Sequence, residues 1–510
     1  MNSPMDKLVA VMHTFEPSLA GNDLPSPTPE QWFAAKYPAV AERFGSAAEL
    51  DVGPGGVRYV STLSEDFLAA SLGESGDVDR PTVFLKSEGR FLRYNPTEGI
   101  YVPISEQELH AQLSSLLRDC AEACRAGFDV ATLEFRLAKT AMLKGVVERA
   151  KGLLGVGPDY FQSDSGELIA CQNGILKPQD MSLVPFGPQY RRRNKLGVAY
   201  NPEASCPTFL GTLMEPAMSA GDLDLIQRWC GLALIGVNVS QVMLVLTGTA
   251  GGGKGTFMRV LKGIIGKGNV GSLRTNHLTS RFEIGRLMGS TLLYGADVKP
   301  DFLNCEGASV LKSLTGGDPM VVELKGSNER HEITAQFNVV VTSNSRLTVR
   351  LEGDAAAWQR RLRIINYQNP PTGHVISNLS ERILQDEGSG VLNWMLEGLK
   401  RLRQNDWRLD VTSEQQRRVD DLLLGSEAHE VFAREMLVRD QHATLGVQDA
   451  HEQYSRYCIS RGWLALPLNQ FSEQIQPIIE RQFGISPRHD IPKKTGGSQR
   501  GWKGIRCSQE

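Results

Sequence analysis

The sequence "VLTGTAGGGKGTFMRVL", from Val245 to Leu261, decides the fold of the region that surrounds it. The apolar run Met243–Leu246 leads into a glycine-rich turn, and a helical pattern follows. The spacing Gly248-x-x-x-x-Gly253-Lys254 is that of a P-loop, in which backbone N–H groups and a helix N-terminus converge on phosphate. A strand before the loop and a helix after it are the context that this mechanism requires. The stretch therefore predicts a nucleotide-phosphate site, with a merely tight glycine-rich turn as the alternative.

Different residues of the predicted site have different expected roles. Lys254 should reach the β- and γ-phosphates, and the hydroxyl of Thr256 should bind Mg²⁺. Gly255 stands where Ser or Thr is usual, so Thr256 comes one position late. ATP and Mg²⁺ are the expected cofactors, and the expected phosphate-binding residues are Gly248, Gly251, Gly252, Gly253, Lys254, Gly255 and Thr256.

Two further apolar runs, Thr291–Asp297 and Phe337–Asn344, each end in a polar residue. The carboxyl ends of parallel strands are where α/β sheets bind ligands. Asp297 can supply the acid for Mg²⁺ and water, and Asn344 can orient the attacking water. Arg360 or Arg361 can neutralise charge in the transition state. A turn-forming Asp and a surface Arg pair are the alternatives for the first and last of these.

Composition sets limits on the class of protein. A chain of 510 residues has room for about three or four domains, and 41% hydrophobic residues allow a large core. The net charge of −3 argues against a uniformly basic nucleic-acid coat but permits local basic patches. The 8 cysteines are scattered, which indicates a reducing compartment; Cys120 and Cys124 are expected to be buried on a helix.

No membrane contact is expected. The N-terminus lacks a basic segment followed by a long apolar one, so no signal peptide is predicted. The most apolar stretch, residues 230–246, is interrupted by Asn238, Ser240 and Gln241. These polar residues predict a buried helix, a turn and a buried strand instead of a membrane span. The expected location is the cytoplasm of a bacterium or host.

Other local signals outline the rest of the chain. The region up to about residue 50 is Pro-rich and predicts a tail or linker, and residues 438–446 predict a linker. Asn95–Gly99 and Asn173-Gly174 predict hairpin turns, and Ser105 with Glu108 has capping-box spacing. A basic run has two readings, a solvated loop or a DNA contact; it consists of Arg191, Arg192, Arg193 and Lys195.

In this order the motifs resemble those of the superfamily 3 helicases, and most closely the helicase part of phage and plasmid primase-helicases, including the poxvirus-type group. The resemblance rests on the P-loop, Asp297, "LKSLTGGDPM" (Leu311–Met320), "VVVTSN" and "GDAAAWQRRL". The segment "LKSLTGGD" is the most specific, because Rossmann enzymes and kinases place no such segment between acid and sensor strands. The upstream "CQNGILKP" and "YNPEASCP" also resemble the domain that precedes the helicase.

The resemblance implies a hexameric AAA+-type ring with ATP at subunit interfaces and a DNA-binding hairpin in the central channel. In this chain the hairpin falls in residues 319–337, with Lys325, Arg330 and His331 at or near its tip. Cations on a protruding turn suit a backbone-tracking role. An ordinary surface hairpin would carry similar residues.

The C-terminal segment fits a winged helix. Residues 468–484 would be the recognition helix, and a glycine-tipped basic wing would carry Lys493 and Lys494. DNA is the favoured ligand of this patch, and a protein-binding domain is the alternative.

The predicted fold is α/β, with an AAA+-like P-loop ATPase core, an α+β N-terminal domain and a C-terminal winged-helix domain. The predicted boundaries are a tail and small region at 1–85, an α+β domain at 86–205, the ATPase core at 206–375, a helical extension at 376–438 and the winged helix at 439–510.

The leading functional hypothesis is an ATP-dependent DNA helicase or translocase that replicates a phage, plasmid or other mobile element. Its expected partners are single-stranded and forked DNA, further copies of itself, and a separate primase or polymerase. The alternatives are an origin-binding initiator with weak ATPase activity and a small-molecule P-loop kinase. Such kinases are shorter and have no use for the "LTGGD" segment.

Overall fold

The computed structural model describes residues 26–74, 80–125, 128–131, 134, 139–161, 168–300, 302–304, 307–323, 330–345, 347, 355–367, 376–463, 465–492 and 497–508. The chain forms two compact units. The first comprises Met1–Lys86, Arg90–Tyr94 and Val102–Val156; the second comprises Ser87–Gly89, Asn95–Tyr101 and Gly157–Glu510.

Amphipathic helices form the core of the first unit. Its helices are α1 (Pro29–Lys36), α2 (Pro38–Phe44), α3 (Glu65–Glu74), α4 (Glu106–Cys124) and α5 (Thr140–Leu153). Its strands are β1 (Ala48–Val52), β2 (Arg58–Leu63), β3 (Thr82–Leu85), β4 (Arg90–Asn95), β5 (Ile100–Ile104) and β6 (Gly155–Val156). β1 and β2 pair antiparallel, and the other four have the order β5-β4-β3-β6.

Several local predictions for this region are confirmed, and one is wrong. Ser105 and Glu108 form the capping box of α4, and Cys120 and Cys124 are buried on that helix. The predicted tail or linker lies in part outside the described residues, but its described part, residues 26–50, instead contains α1 and α2, with Phe33 fully buried. Thr28 caps α1 and Pro29 begins it, so residues that resemble a loop in composition are helix-starting signals here.

The second unit contains a five-stranded parallel sheet of order β11-β12-β15-β10-β16. These strands are β10 (Met243–Gly248), β11 (Val270–Ser272), β12 (Leu292–Gly295), β15 (Asn338–Thr342) and β16 (Leu362–Tyr367). The helices that surround it are α6 (Ala220–Ile235), α7 (Lys254–Ile265), α8 (Ala308–Gly316), α9 (Ala355–Arg361), α10 (Leu379–Gln404) and α11 (Ser413–Ser426).

Both faces of this sheet are covered, as continuous apolar strands require. Alternate residues of β10 point to opposite faces: Leu244 and Leu246 pack with α6, α7 and α10, whereas Met243 and Val245 pack with α8, α9 and α11. The interior strand β10, which lies between β15 and β16, therefore carries the glycine-rich loop at its carboxyl-terminal end while its body is fully buried.

Two smaller sheets accompany the parallel sheet: one precedes it in sequence, and the other is inserted between β12 and β15. An antiparallel meander consists of β7 (Ile169–Cys171), β8 (Gly174–Lys177) and β9 (Ser182–Val184), and a separate hairpin consists of β13 (Pro319–Glu323) and β14 (Arg330–Thr334). The first hairpin was predicted with Asn173-Gly174 as its turn, but Cys171 pairs with Gly174, so the turn residues are Gln172 and Asn173. The Asn173 side chain bonds both backbone groups of Tyr200, and this tertiary contact fixes the register.

The C-terminal part of the second unit has its own hydrophobic cluster, which runs from Ala428 to Ile505. Its elements are α12 (Ala428–Met436), β17 (Leu437–Gly446), α13 (Val447–Ser460), α14 (Leu468–Phe483), β18 (Arg488–Pro492) and β19 (Ser498–Cys507). The strands form an antiparallel sheet of order β17-β19-β18. The linker predicted at residues 438–446 is therefore wrong: this polar stretch is a strand, anchored by buried Leu437 and Leu445 at its ends.

Candidate functional site

The glycine-rich loop between β10 and α7 has a backbone that other residues would not readily adopt. Gly248, Gly251 and Gly253 have φ angles of 134°, 82° and 93°. A side chain at Gly248 would also collide with the carbonyl oxygen of Tyr367 on the neighbouring strand. Glycine is therefore required here for its conformation and its close packing, and the loop leads directly into the positive end of the twelve-residue helix α7.

Lys254, the first residue of α7, lies against this loop and is only 6% exposed. Its ammonium donates hydrogen bonds to the carbonyl oxygens of Gly248 at 2.7 Å and Thr249 at 2.9 Å. Burial lowers the pKa of Lys254, and the negative charge of Asp297 partly opposes this shift. The ammonium and the Asp297 carboxylate thus lie within electrostatic reach of each other.

The two residues that follow Lys254 differ in their surroundings. The Thr256 hydroxyl accepts a hydrogen bond from Arg259 at 3.2 Å and is half-buried. Gly255 is exposed, and a side chain there would meet only the Arg259 guanidinium, at 3.8 Å. No packing contact therefore requires glycine at position 255. The side-chain hydroxyl of this turn is that of Thr256.

Asp297 and Asn344 meet at the carboxyl-terminal edge of the sheet. Asn344 Nδ2 donates to Asp297 Oδ1 at 2.8 Å, and both side chains are exposed. Asp297 has a φ of 44°, a strained value for a residue other than glycine, and its backbone N–H donates to Thr342 Oγ1 at 2.9 Å. The Ser343 hydroxyl also bonds the carbonyl oxygen of Val298 at 3.1 Å. The buried Thr342 and Ser343 therefore hold the acidic residue in place.

Strand order explains this meeting. β15, which ends at Thr342, lies between β10 and β12, so the strand that precedes Asn344 separates the glycine-rich loop from the strand that precedes Asp297. Three segments far apart in sequence thus open onto the same edge. The sequence motifs identified all three, and the structure brings them together.

A cleft of about 440 Å³ opens at this edge beside the loop. Its lining includes Gly248, Thr249 and Asn344 and also residues of α11. Among the latter is Arg418, which sequence reasoning missed because it lies in a charged helix without a motif. Arg418 bonds both carboxylate oxygens of the buried Asp222, at 2.8 and 2.7 Å, so it also fixes α11 to α6.

The two arginines proposed from "QRRL" have different environments. Arg360 is exposed at the end of α9. Arg361 is 7% exposed and donates to the carbonyl oxygen of Ala357 at 3.3 Å. A residue that must reach a neighbouring molecule needs an accessible head group, so this conformation favours Arg360 for that role.

The residues predicted to bind DNA are described only in part. Lys325, Lys493 and Lys494 lie outside the described residues. Arg330 is the first residue of β14, and its backbone lies opposite that of Glu323 in the antiparallel register, at the end of the hairpin nearest its tip. His331 is only 6% exposed and packs against Gly89, where a Cβ atom would lie 2.7 Å from the imidazole, so its ring faces protein in this conformation.

The basic run at residues 191–195 is largely engaged within the chain. Arg192 donates to three backbone carbonyl groups, Arg193 pairs with Glu88 at 2.5 Å, and Lys195 pairs with Glu98 at 2.6 Å. Arg191 is exposed and lies 4.7 Å from the ring of Tyr160. Three of the four cations therefore bond to other parts of the chain and do not form a simple solvated loop.

Comparison with known families gives two partial matches. Residues 93–215 match the family described as D5 N terminal like, and residues 246–361 match a family of unknown function, DUF5906. The first match supports a relation to phage-type primase-helicases. The second spans the glycine-rich loop, Asp297, Asn344 and both arginines.

Solved structures of the C-terminal region of NrS-1 are similar to this chain. An apo structure in the A form is 14% identical, with a TM-score of 0.46, and the match covers 87% of this chain and 100% of that one. A second apo structure of the same region is 12% identical, with a TM-score of 0.45, and covers 86% of this chain and 99% of that one.

Among the helices that the structure describes, none combines the length and apolarity needed to cross a membrane.

Proposed function

We propose that this protein is an ATP-dependent DNA helicase or translocase with a superfamily 3, AAA+-like core, acting in the replication of a phage, plasmid or other mobile element. The observation that carries the proposal is the convergence of the glycine-rich loop, Lys254 and the Asp297–Asn344 pair on one edge of a parallel sheet. The match to the D5 N terminal like family supports the same class of protein.

Each residue of this edge has a role in phosphoryl transfer from ATP. The backbone N–H groups of the loop bind phosphate oxygens, and Lys254 neutralises the β- and γ-phosphates. Thr256 and Asp297 are oxygen donors of the kind that Mg²⁺ prefers, and Mg²⁺ would neutralise charge on the transferred group. Asp297 takes the proton of the attacking water, which Asn344 orients.

The remaining charge is supplied by a second subunit. In a hexameric ring, Arg360 of one copy reaches the cleft of the next, in the manner of an arginine finger. Its exposure in the single chain is consistent with this role.

DNA contacts are assigned to two places. The β13–β14 hairpin, with Lys325 and Arg330, grips single-stranded DNA in the channel. The C-terminal module has the element order helix–strand–helix–helix–strand–strand, which supports a winged helix with Lys493 and Lys494 on its wing. A separate primase or polymerase is a further proposed partner.

An ATPase assay with and without single-stranded DNA tests the function. A helicase should hydrolyse ATP faster with DNA and should unwind a forked duplex. DNA binding without turnover would instead indicate an origin-binding initiator. Phosphate transfer to a small molecule would indicate a kinase.

The DNA assignment has its own test. Changing Lys325 and Arg330 together to Ala should weaken single-stranded DNA binding and reduce its salt dependence, by about 0.7 in slope for each lost phosphate contact. Basal ATP hydrolysis should survive, and unwinding should fail. Changing Lys493 and Lys494 together should mainly reduce duplex binding. Normal unwinding by the hairpin variant, with failure of the wing variant, would contradict the assignment.

A further inference from the structure

The loop that leads into β10, residues 236–241, contains the polar residues that interrupt the most apolar stretch of the chain. We call it the strand-entry loop. Asn238 in this loop is fully buried, although a buried amide is costly unless it is hydrogen-bonded. Its bonding partners show why it is present.

Asn238 joins the strand-entry loop to the segment that leaves the β13–β14 hairpin. Its side-chain Nδ2 donates to the carbonyl oxygens of Val242 at 2.8 Å and Phe337 at 2.9 Å, and its Oδ1 accepts from the N–H of Val242 at 3.2 Å. Its backbone N–H donates to the carbonyl oxygen of Gln336 at 2.9 Å. One buried side chain thus links the residue before β10 to the residue before β15.

Gln241 joins the same loop to the segment that enters the hairpin. Its Nε2 donates to the carbonyl oxygen of Gly316 at 2.7 Å, and its φ of 53° is unusual for a residue other than glycine. Gly316 and Gly317 belong to the "LTGGD" segment, the most specific motif of the sequence. This backbone conformation, which aims the side chain at Gly316, costs energy that the rest of the fold must offset.

The two legs of the hairpin are also fastened to each other at this level. The N–H of Gly317 donates to Ala335 O at 2.8 Å, and the N–H of Ala335 donates to Asp318 O at 3.2 Å. Gly317 has a φ of 81°, and a Cβ atom there would lie 2.8 Å from the Gln336 side chain. The glycine pair therefore permits a tight base that a larger residue would open.

We infer that Asn238 and Gln241 are positioning residues that fix both legs of the β13–β14 hairpin to the start of β10, so that the hairpin and the glycine-rich loop move as one rigid body. The inference rests on the proposed function, because it gives the hairpin its DNA-binding role. Among the residues that the structure describes, β13 and β14 pair with each other and not with the five-stranded sheet, so no shared ladder there fixes them to it. The side-chain bonds of the strand-entry loop, together with the backbone bond from Asn238 to Gln336, supply that connection.

The consequence concerns how nucleotide state reaches DNA. β10 has six residues, so about 20 Å separates its anchored start from the glycine-rich loop at its end. A buried strand of this length does not bend easily, because its neighbours on both sides are close-packed. When the glycine-rich loop moves with nucleotide state, the β13–β14 hairpin must move with it. The hairpin does not rotate independently about its base.

The test uses the full-length protein and three variants. Asn238→Ala removes the buried link. Gln241→Asn tolerates the positive φ but is one methylene too short to reach Gly316. Ser240→Ala is the matched control, since its hydroxyl also donates to a backbone carbonyl, that of Trp407 at 2.5 Å, and not to the hairpin segments.

Amide hydrogen exchange gives the first readout and does not depend on activity. The amides of residues 320–323 and 331–337 should exchange faster in both test variants than in Ser240→Ala, by about two- to thirtyfold, the range expected for residues that carry coupling. Amides of β10 should not change in Gln241→Asn, because the substituted side chain is exposed. Equal exchange in the test and control variants would overturn the anchor. If Asn238→Ala does not fold, Gln241→Asn decides alone, because its side chain is exposed.

The second readout is the number of base pairs unwound per ATP hydrolysed. This ratio should fall in Gln241→Asn by a similar factor, while basal hydrolysis stays within about twofold, as for a surface substitution. A general loss of stability would lower both activities together. Loosened exchange with an unchanged ratio would show that the rigid connection does not matter. Absence of DNA-stimulated hydrolysis in the unaltered protein would refute the proposed function, and the exchange experiment would still decide the anchor.

Discussion

Two asparagines at opposite ends of the same parallel sheet are used in opposite ways. Asn238, near the amino-terminal edge, is fully buried and has every polar atom of its side chain hydrogen-bonded within the chain. Asn344, at the carboxyl-terminal edge, is exposed and donates one hydrogen bond, to Asp297. The same side chain thus fastens one edge and stays accessible at the other.

The amino-terminal edge of the sheet therefore contributes to stability, whereas the carboxyl-terminal edge offers side chains that can bind a ligand. A buried amide with all its bonds made resists replacement, whereas an exposed amide beside a strained Asp297 can exchange its partner for a ligand. Substitutions at the carboxyl-terminal edge should therefore change rates, and those at the amino-terminal edge should change stability and coupling.

The largest expected effect is a loss of ATP hydrolysis, and it tests whether a second subunit completes the site at the carboxyl-terminal edge. Arg360→Ala should lower the rate of ATP hydrolysis by about 10³-fold or more, as expected for an arginine finger. Mixing this variant with Lys254→Ala subunits should restore some hydrolysis, because some interfaces regain both residues. A steady-state assay on fully exchanged oligomers measures this. A mixture as inactive as its two components would place the arginine's role within one chain.

The next effect is confined to the carboxyl-terminal edge. Lys254→Ala and Asp297→Asn should each lower turnover by about 10²- to 10³-fold, since each removes a group that stabilises developing charge or takes a proton. Asp297→Asn should retain nucleotide binding, measured by calorimetry. Its thermal midpoint should hardly move, because Asn tolerates the positive φ at this exposed site. Turnover at the normal rate in either variant would refute the site.

The asparagine pair tests the comparison directly. Asn238→Ala should lower the free energy of unfolding by about 3 kcal/mol, because it leaves buried backbone groups of Val242 and Phe337 without partners. Asn344→Ala should change it by less than about 0.5 kcal/mol, as for other exposed positions. Urea denaturation of the two variants gives both values. Equal losses would show that the two edges do not differ as described.

The smallest effect concerns the charge of Lys254. Asp297 raises the pKa of this lysine against the lowering effect of burial, so Asp297→Asn should lower it further. Between the folded and the higher unfolded pKa, the unfolded chain binds more protons, and the contribution of Lys254 to stability rises with pH. The pH dependence of Lys254 acetylation, followed by mass spectrometry, measures the shift. An unchanged profile would mean that the two charges do not interact.

The motifs with a local physical cause were predictable from the sequence. The glycine-rich turn between β10 and α7 and the acid and sensor strands follow from apolar runs that end in special residues. The sequence did not reveal that Arg361 is buried while Arg360 is exposed, because adjacent arginines look alike until a tertiary contact separates them.

Two other features depended on distant partners in the same way. Arg418 enters the cleft through its pairing with Asp222, which lies 196 residues away. The strand β17 has a polar middle, and its pairing with β19 defines it. Neither partner could be inferred from the local pattern.

The division of the chain into two units limits where the protein can be truncated. The chain passes between the units five times, at residues 86–87, 89–90, 94–95, 101–102 and 156–157. A fragment that begins at Gly157 would lack Glu88 and Glu98, so Arg193 and Lys195 would lose their counter-ions. It would also lose the backbone bond from Tyr101 to Arg192. No single breakpoint therefore separates the two units. Truncation or recombination between residues 86 and 157 would remove segments that belong to one of them.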